Sequence, residues 1–115
     1  MPEKKLLIRA ATAADRDAIV SMQQALNHFE NAISPDRALD RESADKHQTY
    51  LEGRIAEQNG FVFIAESGGE PVGFTVGFIE DWEGNFIREE ERKFGYIADL
   101  FVAENKRGTG VGKRL

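Results

Sequence analysis

Apolar positions along this chain change their period twice, and each change marks a new kind of element. Residues 5–10, KLLIRA, are a short mostly apolar run that predicts a first strand. From Thr12 the period lengthens. Ile19, Met22, Leu26 and Phe29 recur at spacings of three and four, a single stripe along a helix over residues 12–31. Thr12 stands at the N-cap position, and Asp15, three residues on, completes an approximate capping box. Pro35 and its polar neighbours end that helix in a loop. A second helix starts near Ser43 and carries His47, Tyr50, Leu51 and Ile55 on one face, with Gly60 supplying a left-handed stop.

Beyond Gly60 the pattern becomes that of strands. FVFIAE (61–66) and VGFTVGFIE (72–80) are apolar and rich in branched and aromatic residues, and SGGEP between them is a turn, so 61–80 reads as a hairpin. Gly73 and Gly77 weaken a strand interior and mark a bulge or a close backbone approach. A long acidic connection covers 81–93. Its Trp82 and Phe86 either anchor it to the core or line a substrate site. FGYIADLFVAE (94–104), apolar through its centre apart from Asp99, is a further strand that runs into a glycine-rich loop. The order is therefore β-α-α-β-β-β, then the loop and the start of a helix. That is an α+β fold around a mixed, mostly antiparallel sheet.

Composition narrows the function. A chain of 115 residues supports one domain with a single core. No run approaches the roughly 20 apolar residues of a membrane helix, and the N-terminus lacks a secretory pattern. Cysteine is absent, so disulfides and thiolate chemistry are excluded and a cytoplasmic location is expected. A net charge of −5 argues against nucleic acid or an anionic membrane as the main partner. Charge is uneven, however: the last ten residues carry Lys106, Arg107, Lys113 and Arg114 on an otherwise acidic protein. Such a loop suits a small anionic ligand.

The loop is not a P-loop, because only three residues separate Gly108 from Gly112 and Arg114 stands where the magnesium-binding hydroxyl belongs. Nor is it a dinucleotide fingerprint, since it reads G-x-G-x-G and lies after several strands. Arg107-Gly108-Thr109-Gly110-Val111-Gly112 does satisfy (R/Q)-x-x-G-x-(G/A) after a strand. A loop that opens a helix offers unpaired N–H groups and the positive end of the helix dipole. Glycines let the phosphates approach that backbone, while Arg107 and Lys113 add charge without metal. On these residues, YIADLFVAENKRGTGVG (96–112) resembles the acetyl-CoA-binding motif of the GNAT superfamily of N-acetyltransferases.

That resemblance implies the first half of the acyl-CoA N-acyltransferase fold and an enzyme that moves an acetyl group from acetyl-CoA to an amine of a small molecule or protein. It implies that the backbone of Leu100, Phe101 and Val102 holds the pantetheine arm, with an N–H near Val102 facing the oxyanion. Arg107, Gly108, Thr109, Gly110, Val111, Gly112 and Lys113 would hold the pyrophosphate. Asp99 has two readings, a proton acceptor or an acceptor of local hydrogen bonds; the acid that some relatives carry just before it is replaced by Ala98. Glu80 and Asp81 are candidates to attract the amine or relay its proton. Tyr50 and Tyr96 read as packing residues, and His28 and His47 as surface or helix-face residues with no metal spacing. The family's tyrosine acid belongs to its second half, so residues 1–115 read as one domain short of that half, either a fragment or a chain completed by a second copy. Self-association through an incomplete sheet is expected, and a non-catalytic acyl-CoA-binding module is the rival function.

Overall fold

A computed structural model describes residues 5–81 and 88–115. Strand β1 (Leu6–Ala10), helices α1 (Arg16–Asn31) and α2 (Arg41–Glu57), strands β2 (Phe61–Ser67) and β3 (Glu70–Asp81), the single turn α3 (Glu89–Arg92), strand β4 (Lys93–Val102) and the short helix α4 (Val111–Arg114) follow in order. The strands form one sheet in the order β1-β2-β3-β4, and every pairing is antiparallel. The expected element order is present; no parallel pair occurs among the described strands. Trp82 and Phe86 lie outside the described residues.

Helices α1 and α2 cover one face of the sheet. Ile19, Met22 and Leu51 pack there against Ile64, Phe74, Val76, Phe78 and Phe101. Ala65, Val72 and Val111 form a smaller cluster with Leu6, Ile8, Val102 and Leu115, which seats α4. The α1 stripe enters the core less far than its spacing suggests. Ile19 and Met22 are buried and Leu26 packs at the margin, but Phe29 is half exposed. Gln23 is buried instead.

The element boundaries have identifiable causes. The Thr12 N–H donates to Asp15 Oδ2 at 2.7 Å, closing a 3-10 turn over Ala13–Asp15 that leads into α1. At α2 the cap is Asp40, whose carboxylate accepts from the Ser43 N–H at 3.0 Å, so the helix starts at Arg41. At its other end Asn59 takes the left-handed conformation (φ 51°), not Gly60. Gly60 is needed for a different reason: an added Cβ would lie 2.7 Å from the Gly77 carbonyl oxygen and 2.9 Å from the Ile55 Cα.

Asp15 also receives both terminal nitrogens of Arg9 at 2.7 Å. These bonds, helped by the Thr12 N–H, hold its carboxyl well below the usual carboxylate range. A depressed value means that this contribution to stability is complete above about pH 4 and is lost as pH falls below it. Asp15→Asn is therefore expected to lower the urea midpoint more at pH 7 than at pH 3. Equal losses at both pH values would show that the pair does not carry this dependence.

Candidate functional site

The decisive local feature of β4 is a bulge. Opposite β3 the register runs Val76 with Asp99 and then Gly77 with Ile97, so Ala98 has no partner of its own. A one-residue slip reverses which side chains face which side. Phe101 and Asp99 face the helices before the slip; Ala98 and Tyr96 do so after it. Ile97 and Leu100 are about half exposed.

Asp99 therefore meets both helices. Its Oδ2 accepts from Gln23 Nε2 at 3.1 Å and lies 2.9 Å from His47 Nε2. Gln23 also donates to Gln48 Oε1 at 3.4 Å, and both glutamines are buried. Hydrogen bonding to Asp99 raises the His47 pKa, while partial burial opposes the shift. The pair joins α2 to β4, and His47, expected as a simple surface or helix-face residue, is part of a built polar cluster. One sequence signal pointed to it: Gln23 interrupts the apolar side of α1, and a polar group in a core requires partners.

Beside this cluster a cleft of about 470 Å³ is lined by His47, Tyr50, Leu51, Phe78, Glu80, Phe94, Tyr96 and Ala98. The tyrosines are not core residues: Tyr50 is exposed and stacks on His47, with ring centroids 6.3 Å apart. Tyr96 is half exposed and meets Phe78 at 5.6 Å. Glu80 reaches this cleft while its carboxylate pairs with Arg54, whose guanidinium lies 4.9 Å from the Phe78 ring centroid. Asp81 is absent from the lining and is held by Arg92 at 3.1 and 3.3 Å. Glu80 and Asp81 thus pair with different arginines, Arg54 and Arg92.

After β4 the chain turns through Glu104–Lys106 into the glycine loop. Gly108 (φ 80°) and Gly110 (φ 90°) are left-handed, and a Cβ on either would meet nothing within 4 Å. Gly112 lies inside the first turn of α4. No acceptor of the described chain takes the N–H of Gly108, Gly110, Val111, Gly112 or Lys113. Next to them a groove of about 950 Å³ is lined by Lys5, Lys106, Lys113 and Arg114 together with Leu6, Ser67, Thr109, Gly110 and Val111. Unpaired donors and, among the described lining residues, four cations with no carboxylate suit an anion.

Arg107 does not join that lining. Its Nε donates to the Val102 carbonyl at 2.8 Å, and its guanidinium lies over the rings of Phe29 at 4.6 Å and Phe101 at 5.9 Å. It ties the loop to β4 and α1, which also accounts for Phe29 at the edge of the core. Leu100, Phe101 and Val102 end an edge strand whose outer side pairs with no other described strand.

A model described as the acetyltransferase (GNAT) family matches residues 21–115. The chain belongs to the GNAT family. Three solved structures illustrate how this GNAT fold recurs. The acetyl-CoA complex of a predicted acetyltransferase from Clostridium acetobutylicum is 17% identical, with a TM-score of 0.70 over 96% of this chain and 68% of that one. A GCN5-related N-acetyltransferase from Ralstonia eutropha is 23% identical, with a TM-score of 0.69 over 96% and 71%. An aminoglycoside 6'-N-acetyltransferase from Acinetobacter haemolyticus is 16% identical, with a TM-score of 0.66 over 94% and 64%. No curated protein matches the chain. Among the described residues of this GNAT protein no helix is long and apolar enough to cross a membrane.

Proposed function

We propose that this GNAT protein is an acetyl-CoA-dependent N-acetyltransferase acting on the amine of a small molecule or protein. The observation that carries the proposal is the loop: five main-chain N–H groups between Gly108 and Lys113 have no acceptor in the described chain and stand beside a groove lined by four cations. Gly108 and Gly110 leave the approach open, as a diphosphate needs. Arg107 acts there by fixing the loop, and Gly108, Thr109, Gly110, Val111, Gly112 and Lys113 hold the diphosphate. The outer edge of Leu100, Phe101 and Val102 receives the pantetheine amides as a further strand would. An N–H near Val102 faces the developing oxyanion. The Clostridium relative was solved with this thioester, and the Acinetobacter relative is named for acetylating an aminoglycoside, which supports an amine acceptor here. Exposed Ile97 and Leu100 on the same edge strand support self-association through β4.

Thermal denaturation tests the reading. Acetyl-CoA at 100 times its Kd should stabilise the fold by about 2.7 kcal/mol, an upward shift of several degrees. Desulfo-analogues that keep the diphosphate should act alike, and adenosine alone should not. No shift with any coenzyme A thioester would overturn the proposal. A shift without acetylation across a panel of amines would favour a non-catalytic acyl-CoA-binding module.

A further inference from the structure

The polar cluster at Asp99 opens onto an aromatic cleft, and the two together specify more than acetyl transfer to some amine. We propose that the cleft between α2 and strands β3 and β4 is the acceptor site for a primary ammonium on an aromatic or other apolar body, with His47 as its proton acceptor and Asp99 as the residue that orients His47. This rests on the acetyltransferase reading and adds to it an acceptor class and a base.

Shape and chemistry of the lining give the acceptor class. Tyr50, Phe78, Phe94 and Tyr96 surround a volume of about 470 Å³, enough for a single ring with a short side chain. Ring faces attract a cation and also accept an apolar body. Among the described lining residues, the charged or titratable side chains are Glu80, His47 and the two tyrosines. Glu80 is already paired with Arg54, so it sets the rim without demanding a second charge.

Hydrogen bonding assigns the base. With Asp99 ionised, the neutral His47 ring donates from Nε2, which leaves the lone pair on Nδ1. No side chain or carbonyl of the described chain bonds Nδ1, and His47 lines the cleft. Gln23 donates to the same Asp99 oxygen, so the carboxylate is fixed from α1 while it fixes the ring on α2. This is the geometry in which a carboxylate holds an imidazole in one tautomer and stabilises its protonated form.

The charges around His47 come from several elements. Asp99 is on β4, Glu30 lies near the end of α1, and Glu80 with its partner Arg54 lies across the cleft; Tyr50 and Tyr96 are the neutral titratable neighbours. Asp99 by its hydrogen bond, and Glu30 more weakly although Arg37 holds it at 2.8 Å, raise the His47 pKa, which favours its taking a proton. In the reaction the ammonium loses one proton to Nδ1, which passes it to solvent. The freed lone pair forms the C–N bond to the acetyl carbon, the C–S bond breaks, and the thiolate leaves with the amine's second proton. One amide, one thiol and one released proton balance one ammonium and one thioester.

The test separates this inference from the function beneath it. Imidazole resonances of isotopically labelled protein are followed during titration with phenethylamine and, in parallel, with the neutral phenethyl alcohol. The amine should move the His47 ring signals and those of Tyr50 and Tyr96 at concentrations where the alcohol does little. With acetyl-CoA present, His47→Gln should lower kcat for phenethylamine about 100-fold while its acetyl-CoA affinity stays unchanged. Asp99→Asn removes the group that raises the His47 pKa, so the rising limb of its pH–rate profile should move to lower pH. His47 signals unmoved by the amine overturn the proposal, whether or not turnover is seen. A His47→Gln protein with an unchanged pH–rate profile overturns it as well. Failure of acetyl-CoA to bind instead overturns the function, and leaves the amine titration to be read on its own.

Discussion

Gly60→Ala is expected to cost about 2–3 kcal/mol of stability, a fall of roughly 10–20 °C in Tm. The added methyl would sit 2.7 Å from the Gly77 carbonyl oxygen and 2.9 Å from the Ile55 Cα, and both are main-chain atoms. Neither can turn aside. Ile55 belongs to the last turns of α2, and its carbonyl accepts from the Gly60 N–H at 2.9 Å. Relief would require α2 to lift from the sheet at the point where its last turns pass into β2. Gly77→Ala provides the contrast at the other side of the same contact. Its Cβ would meet mainly the far end of the Phe61 ring at 2.5 Å, and Phe61 is partly exposed and free to swing. The Tyr96 carbonyl at 3.1 Å must give by only a few tenths of an ångström. That variant should lose less than about 1 kcal/mol. Denaturant melts of the two proteins decide the matter, and a Gly60→Ala midpoint equal to that of Gly77→Ala would refute the backbone contact.

Gly110→Val should reduce acetyl-CoA affinity at least 100-fold while lowering Tm by about 5–10 °C. The two effects separate because they arise in different places. Gly110 has φ 90°, where a branched residue costs about 1–2 kcal/mol of backbone strain, but its Cβ would enter open space and displace no neighbour. That open space is the proposed diphosphate position. A valine there would block the approach to the N–H groups of Val111 and Gly112, and the strained loop would turn others away. Gly112→Ala serves as control. It lies inside α4, and its Cβ would make an ordinary 3.7 Å contact with Val102 Cγ2, so binding should weaken far less. Titration calorimetry on both variants measures the difference. Retention of affinity within threefold by Gly110→Val would remove the loop from the binding site.

Particular elements show how far a reading of the sequence reaches. The β2–β3 hairpin and β4 were legible because their patterns are local: short apolar runs rich in branched and aromatic residues, a Gly-Gly turn and one polar break at Asp99. The helices were legible for the same reason, although their ends moved by a few residues. Asp40 caps α2 where Ser43 was expected to start it, and Asn59 rather than Gly60 adopts the left-handed stop. The loop's place and its left-handed glycines were legible because glycine spacing after a strand constrains local backbone. The direction of Arg107 was not, since it depends on α1 bringing Phe29 beside Phe101, and Phe29 is far from both in sequence. Tyr50 and Phe29 were assigned to the interior by helical spacing alone, but spacing names a face and not what covers it.

Period, turn chemistry and glycine placement by themselves determined the element order, the α+β sheet and the position of the loop, because each of these is set by residues a few places apart. The tertiary structure decided the rest. A bulge opposite Val76 and Gly77 turned Tyr96, Ala98 and Asp99 to the same side, and packing of α1 and α2 on that side brought Gln23 and His47 to the Asp99 carboxylate. Register slips and helix docking are settled by which contacts form together, and the bond from Gln23 to Asp99 joins residues 76 positions apart.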